Sequence, residues 1–76
     1  MKNDSVVSLW AKGLSGRSLN LHSLNGDLYS YNLKIGYTKG GQVFVYNYRS
    51  GGKFISQTTS THVGLALRHG AILVDV

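Results

Sequence analysis

The stretch LYSYNLKIGYTKGGQVFVYNYRSGGKF, residues 28–54, contains all five tyrosines and both phenylalanines of this 76-residue chain. It also holds four of the eight Lys and Arg residues and no acidic residue. Aromatic residues are typical of half-buried strands, but rings interleaved with cations are also typical of surfaces that bind nucleic acid. The stretch therefore predicts a β-sheet whose rings either pack a core or contact an anionic polymer.

Strict alternation from Tyr29 to Tyr37 predicts one half-buried strand with a period of two. One of its faces combines three tyrosines with two aliphatic residues, and we interpret that face as core or barrel lining. It consists of Tyr29, Tyr31, Leu33, Ile35 and Tyr37. Before this strand, Asn25-Gly26 predicts a tight hairpin turn from a strand within residues 17–24.

Two glycine turns follow the long strand. Lys39-Gly40-Gly41 leads into QVFVYNY at residues 42–48, and Ser50-Gly51-Gly52 leads into KFISQ at residues 53–57. Such segments, bounded by turn residues, are typical of short strands. Together with the first hairpin, they predict four consecutive strands in a meander.

The two ends of the chain have other patterns. SVVSLW, residues 5–10, is compatible with a further strand or with a short helix. At residues 58–70, hydroxyl side chains suited to an N-cap precede apolar residues at helical spacing, and Gly70 provides a stop. We expect a short helix there, although residues 63–67 also alternate. AILVDV, residues 71–76, predicts a terminal strand whose free edge invites pairing with another chain.

Length and composition predict a single small domain over residues 1–76, whose own core gives only marginal stability. The chain has no cysteine, so self-association is left as a source of further stability. Five or six short, strongly bent strands with glycine turns predict a mainly β fold, a small barrel with one short helix. The pattern alone does not distinguish Sm-like, SH3-like and OB-like connectivity.

The charge of the chain is lopsided. Eight Lys and Arg residues against three acidic ones give a net charge of +5 and a pI near 9.8, which attracts nucleic acid or an anionic membrane. No apolar run approaches the roughly 18 residues of a membrane span, and MKNDSVVSLWAKG has too short an apolar stretch for a signal peptide. We therefore expect a soluble cytoplasmic protein without membrane contact.

Residues 30–63 resemble a family of small tailed-phage proteins that is abundant in marine viral sequence. The shared motifs are Ser30-Tyr31, Ile35, Gly40-Gly41, Tyr46 to Tyr48, Thr58-Thr59-Ser60 and His62. The resemblance implies an Sm-like barrel that assembles into a homo-oligomeric ring, with RNA or DNA as its ligand, in the cytoplasm of an infected bacterial host.

The chain departs from Sm proteins proper at both of their motifs. Asp27 and Asn32 are five residues apart, whereas the first Sm motif has an Asp four residues before an Asn. Arg68-His69-Gly70 has one residue more than the Arg-Gly of the second motif. The uridine-binding pocket of Sm proteins is therefore not carried over to this chain.

The strongest site candidates are an aromatic pair and nearby cations. Tyr46 and Tyr48 run directly into Arg49, a pattern in which bases stack on the rings and cations hold phosphate. Core packing is the open alternative for both rings. The cations on the polar face or near the turns would form a basic rim, or else scattered solvated charge. The predicted nucleic-acid-binding residues are Lys34, Lys39, Tyr46, Tyr48, Arg49 and Lys53.

The hydroxyl-rich segment SQTTSTH, residues 56–62, contains residue types used in nucleophilic catalysis, because its serines and threonines lie close to His62 in the sequence. A nucleophile needs a base and an orienting acid, and the chain has only three acidic residues. Helix capping explains the hydroxyls more simply, and the spacing of the histidines matches no common metal motif. We expect neither an enzyme nor a cofactor or metal site.

These observations predict non-catalytic binding of RNA or single-stranded DNA by a homo-oligomer that assembles through its terminal strands. The alternative belongs to another class of protein: a phage-encoded interaction module that binds a host or virion protein through an exposed strand edge.

Overall fold

The computed structural model describes residues 1–48 and 57–75. They form two helices and six strands, in the order α1 Asn3–Ala11, β1 Gly16–Arg17, β2 Leu21–Leu24, β3 Asp27–Ser30, β4 Leu33–Lys39, β5 Gln42–Tyr46, α2 Gln57–Arg68 and β6 Ile72–Val74. The prediction of a mainly β fold is confirmed, with two helices instead of one.

All six strands belong to one mixed sheet, in the order β1-β2-β3-β4-β5-β6. Strands β1 to β5 form an antiparallel meander, and β6 pairs with β5 in parallel after the chain has passed through α2. Because α2 returns the chain beside β5, the last strand does not reach β1, and the sheet of the described residues stays open. The predicted closed barrel is therefore wrong.

The fourth predicted strand, KFISQ, lies outside the described residues except for Gln57, which begins α2. Both predicted two-residue turns within the described part are confirmed. Asn25 and Gly26 have φ values of 54° and 86°, and Gly40 and Gly41 have 60° and 79°. Left-handed φ at both turn positions matches the right-handed twist of the flanking strands.

The single strand predicted from Tyr29 to Tyr37 is wrong, because the chain reverses in its middle. Tyr31 and Asn32 form a tight turn between β3 and β4, with Ser30 paired to Leu33. Tyr31 has a left-handed φ of 55°, and its N–H donates to the carbonyl oxygen of Asn20 at 2.9 Å. A turn of two residues changes which residues share a face, so the alternation in the sequence is not the alternation of one strand.

A β-bulge in β4 changes the alternation a second time. Tyr29 pairs with Lys34 but Leu28 pairs with Gly36, which leaves Ile35 as an extra residue in β4. Ile35 and Gly36 are both buried. A bulge of this kind moves every following side chain to the opposite face, and Tyr37 therefore lies on the side away from Ile35.

Helix α1 settles the alternative left open for SVVSLW, since residues 5–10 are helical. Val6, Val7 and Trp10 lie on one side of α1 and are fully buried, as expected of apolar residues at helical spacing.

The helix predicted at residues 58–70 is confirmed. It begins at Gln57, so the hydroxyl residues lie in its first turn. Gly70 follows its last turn with a left-handed φ of 91°, and its N–H donates to the carbonyl oxygen of Leu67 at 3.1 Å.

Both helices pack on one face of the sheet. Their buried side chains form a single apolar cluster with the inward side chains of the strands: Val6, Val7, Trp10, Leu21, Leu28, Ile35, Val43, Val45, Val63, Ala66 and Ala71. The indole Nε1 of Trp10 donates to the carbonyl oxygen of Gly26 at 2.9 Å. A Cβ at Gly36 would lie 2.9 Å from Cζ2 of Trp10 and 2.7 Å from the carbonyl oxygen of Phe44. The absence of a side chain at Gly36 thus lets the indole lie directly on β4.

The substitution Gly36→Ala is expected to destabilise the fold by about 1–3 kcal/mol, because its methyl group overpacks the space beneath Trp10. Gly64→Ala is the matched control, since Gly64 lies within α2 with nothing within 4 Å of the added carbon. It should stabilise the fold by about 0.5–1 kcal/mol. Urea denaturation measures both changes, and equal stability of the Gly36→Ala protein and the wild type would contradict this packing.

Candidate functional site

The sheet face opposite the helices carries a group of aromatic side chains, here called the aromatic face: His22, Tyr29, Tyr37, Phe44 and Tyr46. Each is half-buried, and its neighbours along the strand are mostly buried on the other side. No helix of the described residues lies over this face, because both helices belong to the apolar cluster beneath the sheet. In the described part of the chain, the rings are therefore displayed on the uncovered side of a two-layer structure.

The rings of the aromatic face contact one another across the strands. His22 stacks on Tyr29 with centroids 4.9 Å apart, and Tyr37 stacks on Phe44 at 5.0 Å. Tyr46 lies 5.6 Å from Tyr37 in a tilted arrangement. Contacts between rings at these distances stabilise the pairs beyond burial alone. They also hold the rings in fixed positions, so that a ligand would meet a preformed surface.

Strand pairing places two cations at the ends of one cross-strand row. Arg17 pairs with His22, His22 with Tyr29, and Tyr29 with Lys34. Cross-strand partners lie on the same face of a sheet, so the row runs cation, ring, ring, cation over β1 to β4. Its positive ends flank the first ring stack.

Among the described cations, Lys34 is the one with a ring contact. Its Nζ lies 5.9 Å from the centroid of Tyr37 and 3.4 Å from Oδ1 of Asp27. Desolvation, the largest single influence, would lower the pKa of Lys34, but Asp27, followed by Tyr46 and Tyr29, raises it above the usual 10.5. Lys34 is therefore protonated at neutral pH, with Asp27 offsetting part of its charge.

The structure brings only some of the predicted site residues together. Lys34 and Tyr46 both lie beside Tyr37, on the aromatic face. Tyr48 contacts the ring of Tyr46 at 5.6 Å but also packs against the core. Lys39, paired with Gln42, lies exposed at the end of the β4–β5 hairpin.

The other two predicted cations, Arg49 and Lys53, lie outside the described residues.

Sequence reasoning missed four residues of the aromatic face and one cation at its border. Tyr29 and Tyr37 were assigned to the core with Ile35, and this is wrong because the turn and the bulge put them on the opposite face. Arg17 and Phe44 were not proposed as site residues, and His22 was considered only as a metal ligand. The signal that could have found His22 is its place in a strand between buried Leu21 and Ser23, an alternation too short to recognise without the pairing partner.

A polar network lies on the core side of the sheet, around His62 of α2. The Nδ1 atom of His62 lies 2.7 Å from Oγ of Ser30. The same Oγ lies 3.0 Å from the hydroxyl oxygen of Thr59. Nε2 of His62 lies 3.2 Å from the amide nitrogen of Asn3, and the Asn3 amide oxygen accepts from the hydroxyl of Ser18. The network joins both helices to the sheet.

This geometry assigns the protons of the network. The amide nitrogen of Asn3 donates to Nε2 of His62, so the ring proton lies on Nδ1 and is donated to Ser30. Ser30 and His62 are almost completely buried, and a base that donates to the hydroxyl cannot take its proton. The arrangement therefore links α1, α2 and β3. Desolvation by burial lowers the pKa of His62 below its usual 6.5.

Stability is expected to decrease as the pH falls below about 6.5, because unfolded His62 then binds a proton before the folded form does. Asn3→Asp should reduce this loss, since a carboxylate beside Nε2 stabilises the charged ring. Urea unfolding of both proteins between about pH 7.5 and pH 5.5 measures the difference. An equal or larger loss in Asn3→Asp would contradict the assignment of Nε2 as an acceptor.

Comparison of the chain with protein-family models, curated proteins and solved structures found no match. Within residues 1–48 and 57–75, no three His, Asp or Glu side chains are grouped so as to hold a metal ion. None of the described helices combines the length and apolar character needed to cross a membrane.

Proposed function

We propose that this protein binds single-stranded nucleic acid, RNA or DNA, non-catalytically on its aromatic face. The observation that carries the proposal is the shared position of rings and cations on the sheet face that no described helix covers. Single strands expose the faces of their bases, which a duplex hides, and aromatic side chains bind them by stacking.

The cations at the borders of the rings suit a phosphate backbone. Arg17 lies at one end of the cross-strand row and has no acidic partner among the described residues. Lys34 lies at the other end of the row, three strands further on, and Lys39 lies at the end of the β4–β5 hairpin. A guanidinium group binds phosphate oxygens in pairs, and the net charge of +5 favours encounter with a polyanion.

Removal of one ring should weaken binding without loss of the fold. Tyr46→Leu is expected to reduce affinity for poly-U or poly-dT oligonucleotides about 5- to 100-fold, the usual effect of one lost stacking contact. Tyr46→Phe keeps the ring and should bind nearly as the wild type does. Fluorescence anisotropy measures both, with thermal unfolding as the check on folding.

The same titrations, repeated over a series of salt concentrations, test the electrostatic contribution to oligonucleotide binding. Affinity should fall as salt rises, and Lys34→Gln should reduce the slope by about 0.7 if Lys34 contacts one phosphate. Lys12→Gln, exposed at the end of α1, should leave the slope unchanged. Equal affinities of Tyr46→Leu and Tyr46→Phe, or no binding at low salt, would refute the proposal.

We further propose that the protein forms a homo-oligomer through β6. The most specific form of this proposal is an Sm-like ring. In the described chain β6 has no neighbour beyond β5, and Ile72 and Leu73 are 44% and 41% exposed. The carbonyl of Val74 accepts from the N–H of Asn47. The N–H and C=O groups of successive residues point to opposite edges of a strand. Those of Leu73 are therefore directed away from β5, to the edge where a strand of another copy would pair.

Leu73→Pro is expected to lower the assembly mass to that of the monomer, because it removes the outward N–H that a neighbouring strand would use. Leu73→Val keeps the N–H and should assemble as the wild type does. Analytical ultracentrifugation over a concentration series measures the mass. A wild type that stays monomeric would refute the oligomer and favour the alternative, in which this edge binds a host or virion protein.

A further inference from the structure

A cavity of about 310 Å³ lies where the β1–β2 and β3–β4 connections meet at one end of the sheet. Arg17, Leu19, Asn20, His22, Tyr31 and Asn32 are among its lining residues. Its volume is at the lower end of the roughly 300–1,000 Å³ of small-molecule sites. Arg17 and His22 also belong to the cross-strand row, so the cavity is continuous with the aromatic face.

The two connections that form the cavity are tied together. The N–H of Tyr31 donates to the carbonyl oxygen of Asn20 at 2.9 Å, and the N–H of Ser18 donates to the carbonyl oxygen of Leu21 at 2.7 Å. Backbone hydrogen bonds therefore fix both walls before any ligand arrives, which lowers the entropic cost of binding.

The side chains around the cavity have the chemistry that one nucleotide requires. Tyr31 presents a ring that is 52% exposed, suited to stacking on a base. The amide groups of Asn20 and Asn32 have no hydrogen-bond partner among the described residues, and an amide pairs with the edge of a base. Arg17, without an acidic partner in residues 1–48 and 57–75, is available for a phosphate.

Tyr31 is held in a conformation that its residue type disfavours. Its φ of 55° is typical of glycine or asparagine, and a bulky side chain there is strained. Strained residues are concentrated at ligand-binding sites, where the side chain is needed. Leu19 beside it is 100% exposed, so the cavity also has an apolar rim.

We propose that this cavity binds the terminal nucleotide of the single strand, with its base against Tyr31 and the two asparagines and its phosphate on Arg17. The inference rests on the proposed function, because the aromatic face would hold the rest of the strand. The cavity would give the protein a base preference that stacking on the aromatic face does not provide.

The test uses the four ribonucleoside 5′-monophosphates and 5′-phosphorylated hexanucleotides that differ in the terminal base. Nuclear magnetic resonance titration should shift the amide signals of residues 17–22 and 31–32 with the mononucleotides, and should favour one base. Tyr31→Asn should weaken this binding at least about tenfold, yet leave thermal stability equal or higher because it relieves the strained φ. Tyr31→Phe should bind as the wild type does.

Tyr46→Leu separates the cavity from the aromatic face. It should weaken hexanucleotide binding but leave mononucleotide affinity and base preference unchanged. Hexanucleotide binding with no base preference and no mononucleotide shifts would overturn the cavity and leave the proposed function standing. Mononucleotide binding without any affinity for the hexanucleotides would refute the proposed function and support a site for free nucleotides. A Tyr31→Asn protein that keeps the wild-type mononucleotide affinity and base preference would also overturn the assignment of the cavity as the nucleotide site.

Discussion

The contact of Trp10 with the backbone at Gly36 is the constraint on which the rest of the structure depends. Only glycine allows the indole to approach β4 so closely, since a Cβ would lie 2.7 Å from the carbonyl oxygen of Phe44. The bulge at Ile35 brings Gly36 under the indole and turns Tyr37 outwards. One local irregularity therefore completes the core on one side of the sheet and adds a ring to the aromatic face on the other.

The two faces of the sheet have separate tasks. Beneath it, the apolar cluster and the network around His62 join both helices to the strands, which suits a domain too small for a large core. Above it, the rings contact one another, and no layer formed by residues 1–48 or 57–75 covers them. A substitution on the aromatic face therefore removes contacts between rings, whereas one in the network beneath removes hydrogen bonds that join the helices to the sheet.

Charge is distributed unevenly across the aromatic face. Lys34 is offset by Asp27, but Arg17 has no acidic partner within the described residues and lies where the row of rings meets the cavity. A single strand bound over the rings as proposed would therefore meet, at that end, a guanidinium group whose charge no described carboxylate offsets. The strained turn at Tyr31 borders the same place, so the proposed nucleotide site adjoins the proposed surface for the rest of the strand.

The sequence by itself determined the β-rich fold, the turns at Asn25-Gly26 and Gly40-Gly41 with the strands beside them, the helix α2 and the net positive charge. These depend on local chemistry: left-handed φ at glycine, helical spacing, and residue counts. The tertiary structure decided which face of the sheet carries Tyr29 and Tyr37. It also decided which residues pair with Arg17 and Lys34. A tyrosine turn and a bulge each shift a period-two pattern by one residue, and neither leaves a mark in composition. The open sheet likewise depends on α2 returning the chain beside β5, because strand order is set by packing and not by any single segment.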